Sequence, residues 1–247
     1  MTKIRQFSPS EIKDFKISLI IPCLEEAENL SKLLPYLRES ADHRLLEIIV
    51  ADALSEDGSK AIAQAHHAVY LPCERACRAK QLNAGAKAAK GEILYFVHAD
   101  TWPPSTFVDD IFNALELGYG LGCYPFEFMS DSLLLKLNAR ATRLDRLWVR
   151  GGDQSLFICK DHFMALGMFS ESCTIMEEYE FIKRARKQLS FKIMKEQTIK
   201  VSARKYEENS YIKVNLANFV AFIMFSLGMN TERIRGTYKW MLNQKRT

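Results

Sequence analysis

At 247 residues and 48% hydrophobic content, the chain has room for one large domain with a substantial core, or for a domain with an appendage. Met1–Lys16 lacks the apolar core of a signal peptide, and no run reaches the about 18 apolar residues of a membrane span, which sets aside a leader and a spanning helix. The net charge of +4 conceals an asymmetry: residues 181–247 carry 15 Lys+Arg against 4 Asp+Glu, a surplus of +11 that leaves −7 on residues 1–180. A basic tail on an acidic body reads either as a site for an anionic partner (a diphosphate, a lipid head group or nucleic acid) or as a solvated basic face.

Along the first half, apolar runs alternate with helical patterns. Ile17–Pro22 reads as a buried strand, and Leu30, Leu33, Leu34 and Leu37 then repeat at helical spacing. Glu47–Ala51 is a second strand that ends at Asp52. Ser55–Gly58 starts a turn, and an Ala-rich helix runs to about His67. Ala68–Leu71 is a third short strand, a second Ala-rich helix covers about 76–90, and a fourth strand ends at Val97. This β-α-β-α-β-α-β order predicts a three-layer α/β/α sandwich around a mostly parallel sheet. In the second half, 118–128 turns strand-like after its glycines, 132–149 reads as helical, 151–154 as a loop, and 155–159 as a strand. A helix is expected over 177–189, a strand-like stretch over 193–201, and a strongly apolar segment from Tyr211 to Gly228. No internal repeat or linker appears, so a single domain is expected. Its nucleotide-binding half is placed at about 15–102, its acceptor-side half at about 103–210, and C-terminal helices at 211–247.

The six cysteines, at 23, 73, 77, 123, 159 and 173, have no histidine at a matching ligand spacing and read as reduced structural thiols, as in a cytoplasmic protein. No G-x-G-x-x-G follows the first strand, and no G-x-x-x-x-G-K-[ST] occurs, which argues against dinucleotide and P-loop sites. Instead the first strand runs into Glu25 and Glu26, the second ends at Asp52 and the fourth is followed by Asp100. Each acid alone can cap a helix. Three at the carboxyl ends of strands, where open α/β sheets bind ligands, favour a polar ligand site.

The segments Pro22–Glu26, Ala51–Ser59 and His98–Asp100 resemble the motif series of the family-2 glycosyltransferases, which have the GT-A nucleotide-sugar-binding fold. Arg75–Gly85, His98–Thr101, Gly152–Gln154 and Met176–Glu180 further resemble a small bacterial subgroup of soluble single-domain members. The resemblance covers roughly Ile17 to Trp240. Two positions depart from the wider family: Glu25 stands where most relatives have Asn, and His98 where many have the first Asp of D-x-D, although His is usual in the subgroup.

The resemblance implies an inverting, hexosyl-type transfer from a nucleotide-diphosphate sugar. Pro22, Glu25 and Asp52 match positions that hold the base and ribose, and a carboxylate can accept from uracil N–H or ribose hydroxyls. Asp100 matches the last acid of D-x-D, which holds a Mg2+ or Mn2+ ion across the two phosphates, with His98 a further ligand or a strand-end hydrogen-bonder. Arg75 and Lys80 are candidates to balance the diphosphate. Glu178, with Glu177 second, matches the general base that takes the acceptor hydroxyl's proton. Asp153 and Gln154 match the loop lining the acceptor site. The acceptor itself, whether glycan, lipid or small molecule, is not specified, and nucleic acid is not expected. The run 219–225, flanked by Lys213, Arg233 and Arg235, is expected to be buried or to form a dimer face in preference to lying on a membrane surface. Competing readings are a nucleotide-sugar binder without catalysis and a sugar nucleotidyltransferase, against which the acidic Glu25–Glu26 argues.

Overall fold

The computed structural model describes residues 4–74, 76–150 and 152–242. The first half runs α1 (Pro9–Asp14), β1 (Ile17–Cys23), α2 (Ala27–Glu39), β2 (Leu45–Asp52), α3 (Ser59–Ala65), β3 (Val69–Pro72), α4 (Arg78–Ala88) and β4 (Ile93–Phe96). It continues with β5 (Thr101–Trp102), α5 (Phe107–Glu116), β6 (Leu121–Cys123), β7 (Phe126–Phe128), α6 (Leu133–Ala141) and β8 (Leu156–Cys159). Then follow α7 (Lys160–Ala165), α8 (Glu177–Ala185), β9 (Phe191–Ile193), β10 (Ile199–Val201), α9 (Arg204–Glu208), α10 (Tyr211–Ser226) and α11 (Thr231–Met241).

The main sheet has the order β3-β2-β1-β4-β8-β6-β9 and draws strands from both halves of the chain. β1 pairs in parallel with β2 and β4, β2 with β3, and β6 with β9; only β8 runs against its neighbours. The buried, mostly apolar central strands suit this arrangement, because a parallel sheet is covered on both faces. Period-two alternation sends Leu19, Ile21, Ile48, Val50 and Tyr95 to one core, with Leu30, Leu33, Leu34 and Leu37 of α2. Ile20, Ile49, Leu94 and Phe96 face the other core, with Leu82 of α4 and Phe181 of α8. The result is three layers.

Two details lock the edge of the sheet that carries the acids. Gly85 lets α4 lie close on β1, since a Cβ there would sit 2.5 Å from Ile20 Cγ2. The buried Gln81 then donates Nε2–H bonds to the carbonyls of Cys23 and Ala51, both at 2.8 Å, tying together the ends of β1 and β2. A second sheet, β5-β10-β7, closes beside the first.

The structure departs from the expected elements in the second half. The 193–201 stretch is two strands in two different sheets, β9 and β10, because the polar Lys195-Glu196-Gln197 turn divides it. The 132–149 helix stops at Ala141, where the Thr142 hydroxyl donates to the Ala139 carbonyl at 2.6 Å, and a 3-10 turn follows at Leu147–Val149. Residues 121–128 likewise split into β6 and β7. Helices that the sequence reading did not single out are also present, α1, α5, α7 and α9, while α10 and α11 fall in the expected C-terminal helical segment. All six cysteines are free thiols.

Candidate active site

The carboxyl ends of β1, β2 and β4 lie side by side, with Cys23 opposite Asp52 in the register. The sequence-predicted acids there fall into two groups. Glu25 is exposed and adopts a positive φ of 55°. Its backbone N–H donates to Ser55 Oγ at 2.7 Å, and its carboxylate accepts from the Glu56 N–H at 2.7 Å. Asp52 is fully buried and accepts from Ser55 N–H at 2.9 Å, Ser55 O–H at 2.5 Å and Tyr70 O–H at 2.9 Å. Glu25 and Asp52 thus share one loop, 55–56, and half-buried Pro22 adjoins them at the end of β1. Ser55 and Tyr70, which hold this arrangement, were not singled out by the sequence. Arg75 lies outside the described residues. Lys80 is exposed on α4.

The second group forms beyond β4. The strand stops at Phe96, so His98 and Asp100 sit in the connection to β5 rather than in the sheet. His98 Nε2 lies 3.6 Å from Glu178 Oε1, and its Nδ1 lies 3.7 Å from Asp153 Oδ1. Glu178 and Glu177 open α8 and are both buried, while Asp153 is exposed. Arg78, the first residue of α4, brings Nη1 to 3.6 Å from Glu177 Oε1. Arg78 lies within the Arg75–Gly85 motif, and its place in a first helical turn, facing a distant acid, is what the sequence alone left unassigned. Asp100 is half-buried, and Thr101 Oγ1 stands 3.5 Å from its Oδ1. Gln154 is buried, with its Nε2 unpartnered among the described residues. A cavity of about 10 Å³, the room of one water, lies beside His98 and Glu178 and is otherwise walled mainly by Leu82, Phe96, Phe169 and Ile182.

Backbone strain collects around these groups. Among the described residues, non-glycine positive φ occurs at Glu25, Leu54, Ser155 and Met176, flanking the loops that carry the acids, as well as at His67 and Met168. Met176 is the left-handed N-cap of α8 and aims Glu177 and Glu178 toward the sheet edge.

The two buried glutamates are pushed apart in acidity. Burial, then the charge of Glu178, drives the Glu177 carboxyl up from 4.5 to about 7, against the pull of Arg78. Burial acts on Glu178 in the same direction, but the ring of His98 and the Arg78 charge outweigh it and hold Glu178 below the usual carboxylate value. Neighbouring groups driven in opposite directions are how a site assigns acid and base roles. For Glu177 the sign is simple. Between pH 4.5 and about 7 the folded chain keeps a proton that the unfolded chain has released. The stability from this group is full below 4.5 and is lost as pH rises through about 7. Thermal melting of the parent is therefore expected to fall across this window, and to fall less in Glu177→Gln. Equal slopes for the two proteins contradict the assignment.

The family model described as "Glycosyl transferase family 2" matches residues 18–160, more than half of the chain. No curated protein sequence matches. Among solved structures, glucosyl-3-phosphoglycerate synthase from Mycobacterium tuberculosis, in complex with Mn2+, UDP and glucosyl-3-phosphoglycerate, is similar with a TM-score of 0.58 and 14% identity, over 100% of this chain and 88% of its own. S. aureus TarS 1-349 in complex with UDP is similar with a TM-score of 0.64 and 14% identity, over 93% of this chain and 71% of its own. At such low identity the likeness establishes the fold, which is GT-A.

Proposed function

Because the chain belongs to glycosyl transferase family 2, we propose that it moves a hexose from a nucleotide-diphosphate sugar to an acceptor hydroxyl with inversion at the anomeric carbon. The observation that carries this reading is Glu178: a buried carboxylate, held ionised, 3.6 Å from His98 at the ligand-binding edge of the sheet.

The nucleoside occupies the ends of β1 and β2. Asp52 already accepts three hydrogen bonds, and a carboxylate has about four acceptor sites, so one remains for a base N–H or a ribose hydroxyl. Glu25 is the more accessible partner, and Pro22 packs beside it. The diphosphate lies toward Asp100 and the start of α4, where Arg78 and Lys80 supply positive charge.

A divalent cation, Mg2+ or Mn2+, fits this place. Among the described residues no group of three or more His, Cys, Asp or Glu side chains forms a dedicated cage. A single carboxylate, Asp100, completed by substrate phosphates, is a donor set that such hard cations accept. When bound, the ion neutralises the charge that develops on the departing nucleoside diphosphate. Both ring nitrogens of His98 face carboxylates, which favours His98 as the residue that positions Glu178 over His98 as a metal ligand.

On the acceptor side, Glu178 takes the hydroxyl proton as that oxygen attacks the anomeric carbon. Glu177, its carboxyl raised to about 7 by burial and by Glu178, is the weaker candidate and leaves Glu178 as the single base, and one base with no second nucleophile implies inversion. Asp153 faces solvent across His98 and lies where it can orient the acceptor, with Gln154 behind it.

The test is release of nucleoside diphosphate from a panel of UDP- and GDP-sugars in the presence of Mn2+, with the anomeric configuration of the product read by NMR. Turnover of one donor with an inverted product is expected. Tight donor binding with no turnover of any donor, with or without candidate acceptors, would leave a binding protein instead.

A further inference from the structure

α10 is apolar on two opposite sides. Val214, Ala217 and Ala221 face inward and are buried. Ile212, Leu216, Phe219 and Ile223 recur at helical spacing on the other side and are 41–76% exposed, and Leu227 continues the stripe at 75%. Single exposed hydrophobics are ordinary on a protein surface, but a continuous stripe of large ones marks an interaction site. α6 extends it. Asn138 donates to Asn215 at 2.6 Å, tying α6 to α10, and the flanking Leu137 of α6 and Leu216 of α10 are both exposed, as is Leu133.

The charge around this face is mainly positive. No Asp or Glu occurs between Glu208 and Glu232, while Lys213 lies on α10 and Arg233 and Arg235 on α11. On α6, Lys136 and Arg140 are exposed, with Asp131 3.4 Å from Lys136. Trp240 on α11 is exposed as well.

We propose that this face docks the protein onto an anionic lipid surface, with α10 lying in the plane of the interface. An apolar helix face with Phe and Leu, bordered by Lys and Arg, is the composition of an interfacial helix, and basic residues beside it gain from anionic head groups. A two-fold dimer through the same patch would instead set these cations against their own copies. The helix does not span: its 16 residues rise about 24 Å against a hydrocarbon core of about 30 Å, and its other side is packed on the protein. Among the described residues no helix is long and apolar enough to cross a membrane. Docking would also bring the site to the surface, because Tyr179, next to Glu178, packs against Phe222 and Phe225 of α10 with ring centroids 6.2 Å apart.

Sedimentation of the whole protein with vesicles tests this. Binding is expected to phosphatidylcholine vesicles containing phosphatidylglycerol, to weaken with added salt, and to be slight on phosphatidylcholine alone. The double variant Phe219→Gln, Ile223→Gln is expected to bind about 10²-fold more weakly, about tenfold for each large apolar side chain. Its circular dichroism melt should match the parent's, since both residues are exposed. The proposal is overturned if the parent does not bind anionic vesicles, if the double variant binds as the parent does, or if light scattering shows a parental dimer that the double variant converts to monomer, which would assign the face to a second copy.

Discussion

Glu178→Gln is expected to lower sugar transfer by about 10²-fold or more, the usual worth of a general base, while fold and donor affinity stay as in the parent. Glutamine keeps the volume of the buried side chain and can still approach His98, but it cannot take a proton. Its effect should appear in turnover rather than in donor binding, because Glu178 lies beyond β4 and away from the Glu25–Asp52 loop. Glu177→Gln is expected to be milder, since Glu177 is driven toward its neutral form by burial and by its neighbour. Turnover and donor affinity measured for both variants decide the matter. Transfer by Glu178→Gln at the parental rate would place the base elsewhere.

Asp100→Ala is expected to weaken Mn2+-dependent donor binding at least about tenfold, the loss that even a change outside the first ligand shell produces at metal sites. Carboxylate oxygen is the natural donor for Mg2+ and Mn2+, and Asp100 is the half-buried carboxylate in the loop after β4. His98→Ala should reduce donor affinity less, because the His98 ring faces Glu178 and Asp153. Calorimetric titration of a nucleoside diphosphate with and without Mn2+ reads both effects. Unchanged affinity and unchanged metal dependence in Asp100→Ala would remove Asp100 from the cation's ligands.

The donor half of the fold was legible in the sequence because its signals are local. Leu19–Ile21 and Ile48–Val50 are uninterrupted apolar runs, Leu30 to Leu37 keep helical spacing, and acids follow close on the strands. The second half was less legible because its strands have two to four residues and exist only through pairing. β10 is a strand because β5 and β7 flank it, and β9 because β6 does. The candidate site divides in the same way. The strand-end acids could be found by inspection, but His98 meets Asp153 and Glu178 from 55 and 80 residues away, and Arg78 meets Glu177 from 99. Contacts of that separation leave no periodic trace. By sequence alone the apolar run at 219–225 fits burial or a dimer face ahead of a membrane surface. In the structure only one side of α10 is buried, and Phe219 and Ile223 remain outside.

The most direct test is a crystal structure of the protein grown with UDP and Mn2+, and in parallel with GDP and Mn2+. The predicted result is density for the base beside Glu25 and Asp52, with the diphosphate reaching Asp100. A nucleotide bound away from the ends of β1, β2 and β4, or no nucleotide in either crystal at saturating concentration, would contradict it.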